Sequence, residues 1–169
     1  RRSDGTIQHA RLKQPWPQGR PFRILSIDGG GIRGVFPAAV LAELESRFLG
    51  GASIANHFDM IAGTSAGSIV GGALASGMTP NEIEEMARKV GWLNTLRPSF
   101  SIGGLLSSAP MRKMLLRALP ASRFEELKIP VAASAYDIDK GGQVCLQDSG
   151  DLIMAIRASC AVPGVFAPI

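Results

Sequence analysis

The segment FDMIAGTSAGSIVGGALASG, residues 58–77, decides the fold of this chain, because it joins an apolar strand to a helix of small residues through one tight turn. Ser65 stands at that turn between Gly63 and Gly67, in the pattern G-x-S-x-G. This spacing is typical of a nucleophile elbow, in which a strained strand-to-helix turn exposes a serine hydroxyl. Small flanking residues leave room for the turn, and the first N–H groups of the helix point towards the serine. The segment therefore predicts Ser65 as a catalytic nucleophile.

Strands and helices alternate on both sides of this segment. The apolar run Phe22–Ile27 predicts a central parallel strand, and a glycine loop separates it from a helix over Val35–Leu49. Further elements are expected downstream: a helix opened by the capping box Thr79–Glu82, a helix stripe over 111–119, a strand over Ile129–Ile138 with a short return, and a helix over Asp151–Cys160 capped by Ser149 or Asp148. Strands joined through helices predict an α/β fold, a three-layer sandwich with a mainly parallel central sheet.

Composition supports one globular domain preceded by a leader. The chain has 169 residues, of which 46% are hydrophobic and 19% charged. Residues 1–21 contain three prolines and little apolar periodicity, which predicts an extended basic leader. Residues Trp92–Ser108 lack a clear period, and they are either a mobile cover over an apolar site or a loop packed on the core.

The charge distribution argues against nucleic acid as a partner. The net charge is +4, yet residues 1–21 hold five basic side chains and one acidic one, so the remaining 148 residues carry 13 of each sign. The 22 residues from Met60 to Asn81 lack charge, but their glycines and hydroxyl side chains favour a buried strand–turn–helix unit over a membrane span. Cys145 and Cys160 form no metal-binding pattern and are expected to be inert thiols, which fits a cytoplasmic location.

A serine nucleophile needs a base, and the sequence offers no obvious one. His9 lies in the leader, and His57 precedes the strand that enters the elbow, at the opposite end from Ser65. Four downstream carboxylates could serve as the base in a Ser–Asp dyad, although each also has a structural role as a turn or helix-start residue: Asp137, Asp139, Asp148 and Asp151. None of them is favoured strongly.

A second glycine loop, DGGGIRG at 28–34, follows the first strand and opens the next helix. Its G-x-G-x-x-G spacing permits a nucleotide- or phosphate-binding loop, but the carboxylate of Asp28 would lie beside a pyrophosphate. Alternatively, both glycine loops lie at one edge of a parallel sheet. The amides of Gly29, Gly30 and Gly31 then form an oxyanion hole that faces Ser65, and Arg33 adds positive charge nearby.

The combination of DGGGIRG at 28–34, GTSAG at 63–67 and AIRASCAVPGVFAP at 155–168 resembles the patatin-like phospholipases. The resemblance covers residues 22–169, and implies a patatin-like catalytic domain that hydrolyses phospholipid or other lipid esters without a metal or cofactor. It implies Ser65 as the nucleophile of a Ser–Asp dyad, Gly29–Gly31 as the oxyanion hole, and Arg33, Gly63 and Gly67 in support. Transient contact with a membrane surface is expected, and the oligomeric state is left open.

The family's dyad aspartate lies in a D-G-G or D-G-A motif beyond the proline-containing segment. The sequence reaches Ile169 before such a motif. We therefore expect this chain either to be part of a longer protein or to lack half of the dyad.

Overall fold

Two sheets and five α-helices form the part of the chain that is described by a computed structural model, namely residues 15–89, 97–101, 104–166 and 169. The strands are β1 (Ile24–Ile27), β2 (Met60–Thr64), β3 (Arg97–Ser101), β4 (Gly104–Ser107), β5 (Val131–Asp137), β6 (Gly142–Gln147) and β7 (Gly164–Phe166). The helices are α1 (Val35–Phe48), α2 (Ala66–Ala75), α3 (Pro80–Lys89), α4 (Ala109–Ala118) and α5 (Leu152–Cys160).

The larger sheet has the strand order β1-β2-β5-β6. The first three strands are parallel, with Ile27 opposite Gly63 and Thr64 opposite Ser134, and β6 returns antiparallel to β5. The predicted α/β fold with a mainly parallel sheet is therefore confirmed. Because β1 and β2 run in the same direction, the glycine loop after β1 and the turn after β2 emerge at the same edge.

The position of β1 differs from the prediction. A central strand was expected, but β1 pairs only with β2 among the described residues and lies at the edge of the sheet. Ile24 is accordingly 55% exposed, whereas Ile27 is buried. An apolar run alone does not distinguish an edge strand from a central one, because both have the same local sequence pattern.

The segment expected to be a cover or a loop contains strands instead. Residues 97–101 and 104–107 pair as antiparallel β3 and β4, and β4 pairs in parallel with β7 in a separate three-stranded sheet. The rest of the expected cover, 92–96 and 102–103, lies outside the described residues. Short strands whose partner is distant in sequence have little local periodicity, which explains the missed prediction.

Helix α2 packs most closely on the sheet, and all ten of its residues are buried. Small side chains permit this approach, since a Cβ added at Gly71 would lie 2.9 Å from Cγ2 of Ile61 on β2. On the other side of α2, the Ile156 side chain of α5 approaches Gly72. Among the described residues, no helix combines the length and apolar character needed to cross a membrane.

Of the helix caps predicted for α3 and α5, the first is confirmed and the second is wrong. The capping box before α3 is confirmed, because Glu82 accepts from the Thr79 N–H at 2.8 Å and Thr79 Oγ1 accepts from the Glu82 N–H at 3.3 Å. The cap predicted for α5 is wrong, since Asp151 caps this helix by accepting from the Met154 N–H at 2.8 Å. Asp148 is instead in a turn with φ of 70°.

The end of the predicted leader is tied to the domain. Arg20 binds Asp59 with two hydrogen bonds of 2.7 and 2.6 Å, and the Trp16 ring stacks on Phe22 at 4.6 Å between centroids. This ion pair and the Arg23 N–H lower the pKa of Asp59 to about 2. The boundary between residues 21 and 22 stays a prediction, and residues 1–14 lie outside the described residues.

Candidate active site

Ser65 has the backbone conformation of a strained elbow, with φ of 52° and ψ of −121°. These angles match the first central residue of a type II′ turn, a position that favours glycine. A serine in this conformation therefore costs on the order of 1–3 kcal/mol of conformational free energy. Ser65 immediately precedes α2, but its side chain makes no capping hydrogen bond to that helix. Its hydroxyl is therefore not committed to the helix end that it precedes.

Gly63 and Gly67 provide the space that this turn requires. A Cβ added at Gly63 would lie 2.5 Å from the Gly67 carbonyl oxygen and 2.7 Å from Cα of Ser68. A Cβ at Gly67 would collide with the backbone carbonyl group of Ile27 on β1. The elbow is thus enclosed by backbone on two sides, and any side chain at either glycine would displace it.

The glycine loop after β1 lies directly against the elbow. A Cβ added at Gly29 would be 3.1 Å from Cβ of Ser65 and 3.2 Å from the Thr64 carbonyl oxygen. Gly30 lines the same pocket as Gly29, and Gly31 has a positive φ of 56° at the start of a 3₁₀ turn. The side chain of Arg33 lies outside the described residues, so its supporting role stays a prediction.

The last turn of α5 also contacts the elbow, a contact that no sequence motif predicted. Ser159 Oγ accepts a hydrogen bond from the Ser65 N–H at 2.8 Å. Burial raises the pKa of the Cys160 thiol to about 11, against the opposing effect of hydrogen bonds with the hydroxyls of Ser65 and Ser68. The sequence pointed to a functional role for the segment 155–168 only through a family resemblance, and Ser159, the one serine of that segment, was the available signal.

An open pocket of about 800 Å³ adjoins the glycine loop. It is lined mainly by apolar surface from the start of α1, including Val35 and Phe36, and by the loop residues Asp28–Gly30. Ser65 is not among its lining residues. Ala66 instead lines a separate apolar gap of about 20 Å³, roughly the room of one water molecule, between α2, α3 and α4.

Asp28 borders this open pocket together with Gly29 and Gly30. Its carboxylate is exposed, and a negative charge at this position would repel a pyrophosphate group. This arrangement argues against a nucleotide in the loop.

The strand register separates two of the candidate bases from Ser65. Asp137 lies three residues, or roughly 10 Å, beyond Ser134, the register partner of Thr64. Its carboxylate accepts from the Asp139 and Lys140 N–H groups at 3.1 Å, as in an ordinary Asx turn. Asp139 belongs to the same turn.

The other candidate bases are also distant. Asp148 follows Gln147, which pairs with Ala132 near the opposite end of the sheet, and Asp151 lies at the start of α5, roughly 12 Å before Ser159. His57 lies at the far end of β2, as expected. The described residues therefore bring Ser65 and the glycine loop together at Gly29, but they place none of these predicted bases beside Ser65.

The chain is similar in sequence to known proteins over most of its length. A family model described as patatin-like phospholipase matches residues 25–169. A cGAMP-activated phospholipase of Vibrio cholerae is 30% identical over 175 residues, which cover 86% of this chain and 49% of that protein. An uncharacterised NTE family protein of Mycobacterium tuberculosis is 35% identical over 151 residues, which cover 88% of this chain and 39% of that protein.

Solved structures share the fold at low sequence identity. ExoU of Pseudomonas aeruginosa, in complex with SpcU, matches 92% of this chain and 40% of its own with a TM-score of 0.54 and 18% identity. VipD of Legionella pneumophila matches 87% of this chain and 44% of its own, with a TM-score of 0.55 and 13% identity. The chain thus spans half or less of the length of these relatives and structures.

Proposed function

Since the chain belongs to the patatin-like phospholipase family, we propose that it supplies the nucleophile and the oxyanion hole of a serine-dependent lipid acyl hydrolase. The observation that carries this proposal is the conformation of Ser65: a non-glycine residue with φ of 52°, directly against Gly29, with its hydroxyl not used as a helix cap. Backbone strain of this kind persists where the surrounding structure imposes it, and it is concentrated at functional sites.

The proposed reaction is acyl transfer in two steps. Ser65 Oγ attacks the ester carbonyl carbon while a base takes its proton, and the alcohol leaves with a proton as the acyl-enzyme forms. Water then attacks the acyl-enzyme and releases the fatty acid. We assign the base to an aspartate of a Ser–Asp dyad other than Asp137, Asp139, Asp148 and Asp151, because the positions of these four do not support a contact with Ser65.

The oxyanion is proposed to bind the backbone N–H groups of Gly29, Gly30 and Gly31, with Arg33 adding positive charge. The contact between Gly29 and Ser65 supports this assignment. The N–H of Ser65 itself is already donated to Ser159 and is not counted as a donor. Each donor to a developing oxyanion typically contributes on the order of 10²- to 10³-fold in kcat.

The proposed substrate is a phospholipid or another lipid ester, met during transient contact with a membrane surface. The apolar lining of the open pocket next to Gly29 supports an acyl chain as its occupant. Phe36, which lines this pocket, is 71% exposed, which is compatible with a lipid-facing position.

The test is ester hydrolysis by the natural full-length protein and its Ser65→Ala variant. We expect the wild-type protein to release fatty acid from phosphatidylcholine–phosphatidylglycerol vesicles and to be labelled at Ser65 by a fluorophosphonate. Ser65→Ala should lose both, whereas the matched variant Ser46→Ala, at an exposed position of α1, should retain both. Hydrolysis that survives in Ser65→Ala would refute the nucleophile assignment.

A further inference from the structure

The Ser65 N–H is bonded to a side chain far away in the sequence. Its acceptor, Ser159 Oγ, lies 94 residues downstream at a distance of 2.8 Å. The carbonyl group of Ser65 is held as well, since it accepts from the N–H of Ser68 at 2.9 Å and from its Oγ at 2.6 Å. The bonds to Ser68 are local to α2, whereas the bond to Ser159 restrains the Ser65 N–H from a different helix.

Ser159 is carried by a rigid part of the domain. It lies one residue before the end of α5, a helix that begins at the Asp151 cap. Leu152 and Ile156 of the same helix are fully buried in the core, and Ile156 packs against α2 at Gly72. A hydroxyl on such a helix has a defined position relative to α2, which is the property that a restraint requires.

The strained turn makes this hydrogen bond necessary. Ser65 immediately precedes α2 with φ of 52° and ψ of −121°, and its N–H, like those of the first helical turn, has no acceptor within the hydrogen-bond ladder of that helix. A partly buried N–H without an acceptor is costly, and the strain itself favours relaxation of the turn. Both effects are opposed by one acceptor, the Ser159 hydroxyl oxygen.

We propose that Ser159 is a positioning residue for the Ser65 nucleophile. Its hydroxyl oxygen holds the peptide between Thr64 and Ser65 in the conformation that presents Ser65 Oγ to the substrate. It also occupies the Ser65 N–H, and so leaves oxyanion binding to the glycine loop. This proposal rests on the proposed function, because it takes Ser65 as the nucleophile. It also gives a role to the segment 155–168, which the acyl-transfer chemistry leaves without one.

The kinetic test compares Ser159→Ala, Ser159→Thr and Ser76→Ala in the natural full-length protein. Ser76→Ala is the matched control, because the Ser76 hydroxyl also bonds to backbone, here donating to the Gly72 carbonyl oxygen at 2.6 Å, but at the opposite end of α2. We expect Ser159→Ala to lower kcat and the rate of fluorophosphonate labelling about 10- to 100-fold with little change in KM, because a displacement of about 1 Å can cost 100-fold. Ser159→Thr keeps the hydroxyl and should restore most of the rate, and Ser76→Ala should label like the wild type.

A second measurement is independent of activity. The Ser65 amide should exchange with deuterium slowly in the wild-type protein and at least about tenfold faster in Ser159→Ala, whereas amides in the middle of α2 keep their protection. Wild-type protein that neither hydrolyses esters nor is labelled, but shows this exchange pattern, would refute the proposed function and retain the elbow restraint.

Three results would overturn the proposal. The first is Ser159→Ala labelling within about twofold of wild type, and the second is a Ser65 amide that exchanges equally fast with or without the Ser159 hydroxyl. The third is a folded Ser159→Thr as slow as Ser159→Ala. If Ser159→Ala does not fold, the proposal is tested by Ser159→Thr and by the exchange rate of the Ser65 amide in the wild-type protein. A rapidly exchanging Ser65 N–H would contradict its hydrogen bond to Ser159.

Discussion

Replacing Gly63 by alanine should displace the elbow, because the new methyl group has no free space. The added Cβ would lie 2.5 Å from the Gly67 carbonyl oxygen and 2.6 Å from its carbon, and the next atom, at 2.7 Å, is Cα of Ser68. A comfortable carbon–oxygen contact is about 3.3 Å, so β2 and the first turn of α2 must separate by roughly 0.8 Å. All three contacts are with backbone, which cannot move aside as a side-chain end can.

This overpacking sets the expected magnitude. Forced insertion of a methyl group into a tight site costs about 1–3 kcal/mol, which corresponds to a fall in Tm of about 2–12 °C for a domain of this size. A displacement approaching 1 Å at Ser65 should also lower the rate of fluorophosphonate labelling about 10- to 100-fold.

The matched control is Gly72→Ala, at the middle of α2. Its added Cβ would lie 3.0 Å from Cδ1 of Ile156, the end of a side chain that can rotate, and alanine is the better helix former by about 1 kcal/mol. Thermal unfolding followed by circular dichroism and labelling of Ser65 should therefore separate the two variants. A Gly63→Ala protein that melts and labels like the wild type would refute the steric argument.

Two further predictions concern ionisable groups. Because the pKa of Asp59 is lowered to about 2 in the folded protein, its bond to Arg20 stabilises the fold above about pH 4 and loses this effect as the pH falls towards 2. The difference in the free energy of unfolding between wild type and Asp59→Asn, measured by urea denaturation, should thus shrink as the pH falls from about 5 to about 2. A difference that stays constant would contradict the stabilising role of the ion pair. Cys160 is buried and the pKa of its thiol is raised to about 11, so at about pH 8 iodoacetamide should modify the exposed Cys145 first. Peptide mass spectrometry measures the extent of modification at each cysteine, and equal modification of both would show that Cys160 is accessible.

Local patterns were sufficient for most of the elements around the elbow. The turn at Ser65, the helix that follows it, the capping box at Thr79 and the glycine loop after β1 each depend on neighbouring residues in the sequence. The common edge for both glycine loops also followed, because parallel strands joined through helices place their carboxyl ends together. The oxyanion assignment and the base remain predictions, and Arg33 lies outside the described side chains.

The sequence by itself therefore determined the α/β class, the elbow and the loop beside it, because small residues and apolar periodicity act over a few positions. Only the tertiary structure decided that β1 lies at an edge, that β4 pairs with β7, and that Ser159 accepts the Ser65 N–H. Each of these depends on contacts between segments that are distant in sequence. Register partners in β1 and β2 are 36 residues apart, and Ser65 and Ser159 are 94 residues apart. The spacing of residues along the chain does not reveal such contacts. The same apolar pattern fits an edge strand or a central strand, and a serine in a helix can bond to many different partners.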